Sequence, residues 1–138
     1  MTETINNRRE INGNSYYVFV PYHHGRPTAD KSVWQITNDD EFSIFLLSIN
    51  NSWIKESYSW SHFLEANQIR PVGVNFHGED LYFGKFINEN AESHGYPADY
   101  RRKIQDRPPV EILLIWEKLG VIKSHHISKI LRGIKCNL

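Results

Sequence analysis

The sequence predicts an α+β domain in which an antiparallel sheet of about four strands is covered by helices. Strand-like segments and segments with apolar residues at helical spacing follow one another in the order β-β-α-α-β-β-α-α-α. This order lacks the strand–helix alternation of a parallel sheet, so the strands are expected to pair antiparallel. The 138 residues, of which 40% are hydrophobic and 23% charged, suit a single domain spanning residues 1–138.

The first third is predicted to hold two strands and a helix. Residues 1–13 are polar and are expected to fray. Residues 16–20 and 33–37 have the side-chain pattern of strands. Asn38 is expected to cap a helix, because acidic residues follow it and apolar residues then recur at i, i+3, i+4 and i+7. Those apolar residues are Phe42, Phe45, Leu46 and Ile49.

The middle of the chain is predicted to add one more helix and a hairpin. Residues 59–67 place Trp60, Phe63 and Leu64 on one side of a short helix. Residues 72–76 and 81–87 indicate a hairpin joined by a polar turn. Residues 91–95 are expected to form a loop.

The C-terminal third, residues 97–138, is predicted to be helical and basic. Pro97 suits the first position of a helix. Residues 110–116 are apolar nearly all round, which would also fit a buried strand, but Gly120 is a natural C-terminal stop and favours a helix. The last helix is expected to begin with Ser124 as its N-cap, and its apolar residues recur at i, i+3, i+4 and i+7: Ile127, Ile130, Leu131 and Ile134.

The net charge of zero hides a difference between the two parts of the chain. Residues 101–138 carry nine Lys and Arg against three Asp and Glu, whereas residues 1–100 carry seven against thirteen. Such a split either brings the two parts together within the fold or presents an acidic surface to one partner and a basic surface to another.

Several protein classes and catalytic motifs do not fit this sequence. No apolar run approaches the ~20 residues of a membrane helix, and the polar N-terminus lacks the pattern of a signal peptide, so a cytoplasmic protein is expected. Cys136 is the only cysteine, which excludes an internal disulfide and a cysteine-based zinc site. Glycine-rich phosphate loops and the common hydrolase motifs are absent, so neither a cofactor nor a bound metal is expected.

The leading interpretation is a non-catalytic protein that binds another protein. We expect a small cytoplasmic inhibitor or immunity protein that neutralises a bacterial toxin of the nuclease type by covering its basic active site. Acidic residues would attract the basic partner, and Trp and Tyr side chains would anchor it. These contacts are predicted at Asp39, Asp40, Glu41, Trp53, Tyr58, Glu79 and Asp80.

A first alternative is a DNA-binding regulator. Residues 119–133 combine a glycine and apolar turn with a following polar and apolar helix. This segment resembles the turn and recognition helix of helix-turn-helix DNA-binding domains, and the resemblance implies a helix that enters the major groove. The residues that would face nucleic acid are Lys123, Ser124, His125, Lys129 and Arg132.

A second alternative is a small histidine-dependent nuclease or hydrolase. His23 and His24 stand beside Arg26 on a loop between two predicted strands. An imidazole can act as a general acid or base on a phosphodiester while a guanidinium holds the phosphate. The sequence places no third residue that would orient either imidazole.

Overall fold

The computed structural model describes residues 7–28 and 31–138, and it confirms the α+β class. Within this part of the chain there are three α-helices, a mixed sheet of seven strands and a second sheet of three short strands. The main sheet is therefore larger than the predicted four strands. No helix in the described residues is long and apolar enough to cross a membrane.

The secondary structure follows the chain in this way. The strands are β1 Arg8–Asn12, β2 Ser15–Val18, β3 Val33–Trp34, β4 Ile54–Lys55, β5 Tyr58–Glu65, β6 Gln68–Arg70, β7 Gly73–Val74, β8 Asp80–Leu81, β9 Phe83–Glu89 and β10 Glu92–Ala98. The α-helices are α1 Asn38–Asn50, α2 Val110–Lys118 and α3 Ser124–Leu131. Short 3₁₀ helices cover Pro21–His23 and Ile104–Asp106.

The main sheet has the strand order β1-β2-β10-β9-β5-β4, and β6 pairs with the far end of β5. All of its pairs are antiparallel except β2 with β10, which run parallel with Tyr16 opposite Glu92. The small sheet has the order β3-β7-β8. The prediction of a purely antiparallel sheet was wrong because the β1–β2 hairpin joins the sheet edge alongside a strand that is distant in sequence.

The prediction of a helix over residues 59–67 was wrong. This segment forms β5, which lies between β9 and β4 in the main sheet. Trp60 packs into the core on one face, while the Ser59 hydroxyl lies 2.9 Å from the Ser48 hydroxyl of α1 on the other. Residues 58–62 do alternate aromatic side chains with serine, as a strand does, but the helical spacing of Trp60, Phe63 and Leu64 overlaps this pattern and led to the wrong prediction.

The predictions for residues 91–95 and for a helix starting at Pro97 were also wrong. These residues form β10, which pairs with β9 along seven positions. A Cβ atom on Gly95 would lie 2.3 Å from the Phe86 ring, so the glycine lets that ring pack against the strand. Residues 99–109 then form turns and a 3₁₀ segment, so only the part from Val110 onward is helical.

The predicted fraying of residues 1–13 was wrong for residues 8–12, which form β1 and pair with β2. Residues 1–6 lie outside the described residues. The three predicted helices at residues 38, 110 and 124 are confirmed. The N-cap residues of α1 and α3 differ from the predicted Asn38 and Ser124. Thr37 caps α1 by accepting a hydrogen bond from the Asp40 backbone at 3.1 Å, and Lys123 is the N-cap residue of α3.

The core has two parts, one on each face of the main sheet. Helix α1 covers one face, where Phe45 packs with Tyr17 and Phe86. Helices α2 and α3 cover part of the other face, where Trp116 packs against Phe83. Tyr96 of β10 lies on this second face at the edge of a surface depression, and the candidate site is found there.

Candidate functional site

A polar cavity of about 250 Å³ lies where β10 ends, beside the loop that follows β2. His23 and Tyr96 form one wall. Three cationic side chains also line the cavity, and they come from two separate parts of the chain: Lys31, Arg102 and Lys103. The cavity is therefore built from segments about 70 residues apart, and no local motif could have revealed it.

His23 is held in one orientation. Its Nδ1 lies 3.1 Å from the Ser32 carbonyl oxygen, and its ring stacks on Tyr96 with centroids 5.3 Å apart. Because a carbonyl oxygen only accepts, Nδ1 carries the proton and Nε2 keeps a lone pair. Burial lowers the pKa of His23 below its usual value of 6.5. The imidazole is therefore neutral at pH 7, with an available basic nitrogen.

The two carboxylates of the cavity are held by other side chains. Asp99 accepts a hydrogen bond from Asn75 Nδ2 at 3.0 Å. Asp106 accepts one from the Tyr96 hydroxyl at 2.6 Å and lies 3.4 Å from Lys85 Nζ. Lys85 thus offsets the charge of Asp106, and Lys31 and Lys103 outweigh the remaining carboxylate of Asp99. The lining favours an anionic ligand.

The structure separates the three residues of the predicted histidine cluster. Only His23 lines the cavity. The His24 ring turns toward α1, where its Nε2 lies 3.3 Å from Glu41 Oε1, and Arg26 is exposed outside the cavity. Lys31, Tyr96 and Asp106 were not among the predicted site residues. Tyr96 lies between the predicted loop over residues 91–95 and the helix predicted from Pro97, and neither prediction places it on a strand.

Glu41 is fully buried, so the prediction that it lies on a partner-binding surface was wrong. Its position in the first turn of α1 faces the sheet, where the Tyr17 hydroxyl donates a hydrogen bond to Glu41 Oε2 at 2.5 Å. Burial raises the pKa of Glu41 to about 7 and lowers the pKa of His24. Because burial opposes both charges, the contact between Glu41 and His24 is mainly a neutral one.

Replacing Glu41 by glutamine is expected to stabilise the protein at pH 8 and to leave its stability nearly unchanged at pH 4. The raised pKa means that the stability contributed by protonated Glu41 is complete below pH 4.5 and is lost as the pH rises through about 7. Glutamine stays neutral and can still accept from Tyr17, so the gain at pH 8 is up to about 3 kcal/mol. Urea unfolding of E41Q and of the exposed-site control D39N measures it, and an equal gain at both pH values would contradict the assignment.

The other predicted acidic contacts lie at the surface, and two of them are paired. Asp39 lies 2.8 Å from Arg9, and Glu79 lies 2.8 Å from Arg101. Asp80 is exposed, and Asp40 is half-buried. The pair between Glu79 and Arg101 joins the acidic and basic parts of the chain within the fold.

The prediction that Trp53 is an exposed anchor was wrong. Its side chain is 4% exposed and packs edge-on against Trp116, with ring centroids 5.6 Å apart. Trp53 lies in a polar stretch of sequence, but the turn after α1 folds its ring into the core. Tyr58 is half-buried, and Lys85 Nζ lies 4.6 Å above its ring.

The predicted nucleic-acid surface lies on and around α3. Its five residues are all exposed: Lys123, Ser124, His125, Lys129 and Arg132. The Ser124 hydroxyl donates to Glu117 Oε2 at 2.6 Å and so connects α3 to α2. DNA binding by this surface stays a prediction.

No protein-family model, curated protein or solved structure matches this chain. In the described ranges 7–28 and 31–138, no three His, Cys, Asp or Glu side chains are grouped so that they could hold a metal ion.

Proposed function

We propose that the protein is a small ribonuclease whose reaction takes place in the cavity around His23. The observation that carries this proposal is a neutral His23, oriented by the Ser32 carbonyl, in a cavity that Lys31 and Lys103 make cationic. A positioned base beside cations is the combination that phosphodiester cleavage requires.

RNA supplies its own nucleophile, the ribose 2′-hydroxyl. His23 Nε2 takes the proton of this hydroxyl, the 2′-oxygen bonds to phosphorus, and the bond from phosphorus to the 5′-oxygen breaks. The Lys31 ammonium gives a proton to the leaving 5′-oxygen, and the products are a 2′,3′-cyclic phosphate and a 5′-hydroxyl. Lys103 offsets the negative charge that builds up on the phosphate oxygens.

The first test is cleavage of an end-labelled single-stranded RNA. H23A is expected to lose at least about 100-fold in kcat/KM, the usual range for a general base. Because the pKa of His23 is lowered, the acid limb of the wild-type pH profile should have its midpoint below pH 6.5. DNA of the same sequence should stay intact, since it lacks the 2′-hydroxyl.

The matched control is H77A, because His77 is exposed and lies outside the cavity. H77A should cleave at the wild-type rate, and circular dichroism should show that both variants are folded. A wild-type protein that cleaves no RNA, or an H23A variant as active as the wild type, would refute the proposal.

A second candidate function is the partner-binding role that the sequence suggested. It is favoured by exposed apolar residues on and directly after α2, where Leu114 is 51% exposed and Leu119 is 62% exposed. The exposed carboxylates of Asp39 and Asp80 would still assist the approach of a basic toxin. A stable complex with such a toxin, weakened by Leu114→Ser and unaffected by H23A, would support this role.

A further inference from the structure

A second cavity, of about 290 Å³, lies beside the His23 cavity. The buried pair between Lys85 and Asp106 separates the two, because Asp106 lines the first cavity and Lys85 lines the second. Tyr96 lines the first cavity and donates to the same Asp106 oxygen. The contacts from Tyr96 to Asp106 and from Asp106 to Lys85 therefore connect the two cavities.

The second cavity has a flat and apolar part, formed by Tyr58, Trp60, Ile104 and Pro109, next to five charged or polar residues. Tyr58 and Trp60 contribute aromatic rings, and the Trp60 Nε1 group is fixed by donating to the Asp106 carbonyl oxygen at 3.1 Å. Ile104 contributes an apolar side chain that is 73% exposed, the most exposed large apolar residue in the described part of the chain. Aromatic and apolar surfaces of this kind favour the faces of nucleobases.

Charged and polar groups border this apolar lining. Lys55, on the edge strand β4, is exposed at the rim. Glu56 and Gln105 also line the cavity and can offer hydrogen bonds to the edge of a base. A cation next to an apolar pocket complements a nucleotide, which joins a flat base to a phosphate.

We propose that this second cavity binds a base of single-stranded RNA next to the phosphodiester held at His23. Lys55 contacts a flanking phosphate, and Ile104 and Tyr58 contact the base. The inference rests on the proposed ribonuclease function and specifies its substrate class: a single-stranded oligonucleotide rather than a duplex, whose stacked bases cannot enter the cavity.

The test measures binding without cleavage, using a fluorescein-labelled 2′-O-methyl RNA octamer whose 2′-oxygens cannot attack. The double variant I104S/K55A is expected to raise the Kd roughly tenfold, in the range of one lost base contact. K55A alone should reduce the slope of log K against log salt concentration by about 0.7, the value for one phosphate on a single strand. A duplex of the same sequence should bind more weakly than the single strand.

The control is Leu119→Ser, which changes another exposed apolar residue, 62% exposed and directly after α2. L119S should bind the octamer like the wild type. A double variant that binds as tightly as the wild type, or equal affinity for the duplex, would overturn the base site. If H23A abolishes cleavage while I104S/K55A changes neither Kd nor KM, the ribonuclease proposal stands and only the base site is wrong.

Discussion

Replacing Lys85 by methionine is expected to lower the free energy of unfolding by about 3–5 kcal/mol, the cost of leaving a buried charge without its partner. Lys85 and Asp106 are both almost fully buried, and Lys85 Nζ also donates to the Gln105 carbonyl oxygen at 2.6 Å. Methionine keeps most of the side-chain volume and, among the described residues, leaves the hydroxyl of Tyr96 as the side-chain donor to the Asp106 carboxylate. Urea unfolding at pH 7, followed by tryptophan fluorescence, measures the loss.

The double variant K85M/D106N separates the charge effect from packing. It removes both charges, so it should recover a large part of the stability that K85M loses. Equal destabilisation by K85M and by the double variant would show that packing rather than charge is responsible.

The three helices of the structure were predicted from the sequence, but strands β5 and β10 at the centre of the main sheet were not. Helix α1 has local signals, since its acidic first turn and the apolar residues Phe45 and Ile49 lie within one segment. Strand β5 has a local strand signal over residues 58–62, but the helical spacing of Trp60, Phe63 and Leu64 overlaps it. Strand β10 contains Gly95 and Pro97, which are typical of loops, and the close approach of the Phe86 ring and the Lys85 carbonyl oxygen explains the glycine.

The candidate site could be predicted only in part for a related reason. His23 stood out because it lies beside a second histidine, but His24 faces α1. The residues that complete the cavity, Lys31, Tyr96 and Lys103, are joined by the fold and not by spacing. The burial of Glu41 was not predicted either, because Glu41 and the exposed Asp39 lie in the same run of acidic residues.

His62 is expected to make the protein less stable in acid, and His62→Phe should remove this effect. Its ring is 2% exposed, lies between Trp53 and Trp116, and has no hydrogen-bond partner for either nitrogen in the described structure. Burial lowers the pKa of His62 to about 4. The unfolded chain therefore binds one more proton between pH 6.5 and pH 4, and stability falls by about 3 kcal/mol as the pH falls through this range.

The raised pKa of Glu41 acts in the opposite direction over an overlapping range, because it favours the folded state as the pH falls from 7 to 4.5. The two effects should nearly cancel in the wild type between pH 4.5 and 6.5. H62F should then gain stability as the pH falls, whereas E41Q should lose it. Urea unfolding in half-unit pH steps measures how the free energy of unfolding of H62F and of E41Q changes with pH. His77→Phe serves as the control at an exposed histidine. An H62F profile parallel to that of the wild type would show that the folded state accepts a proton on His62 at no cost.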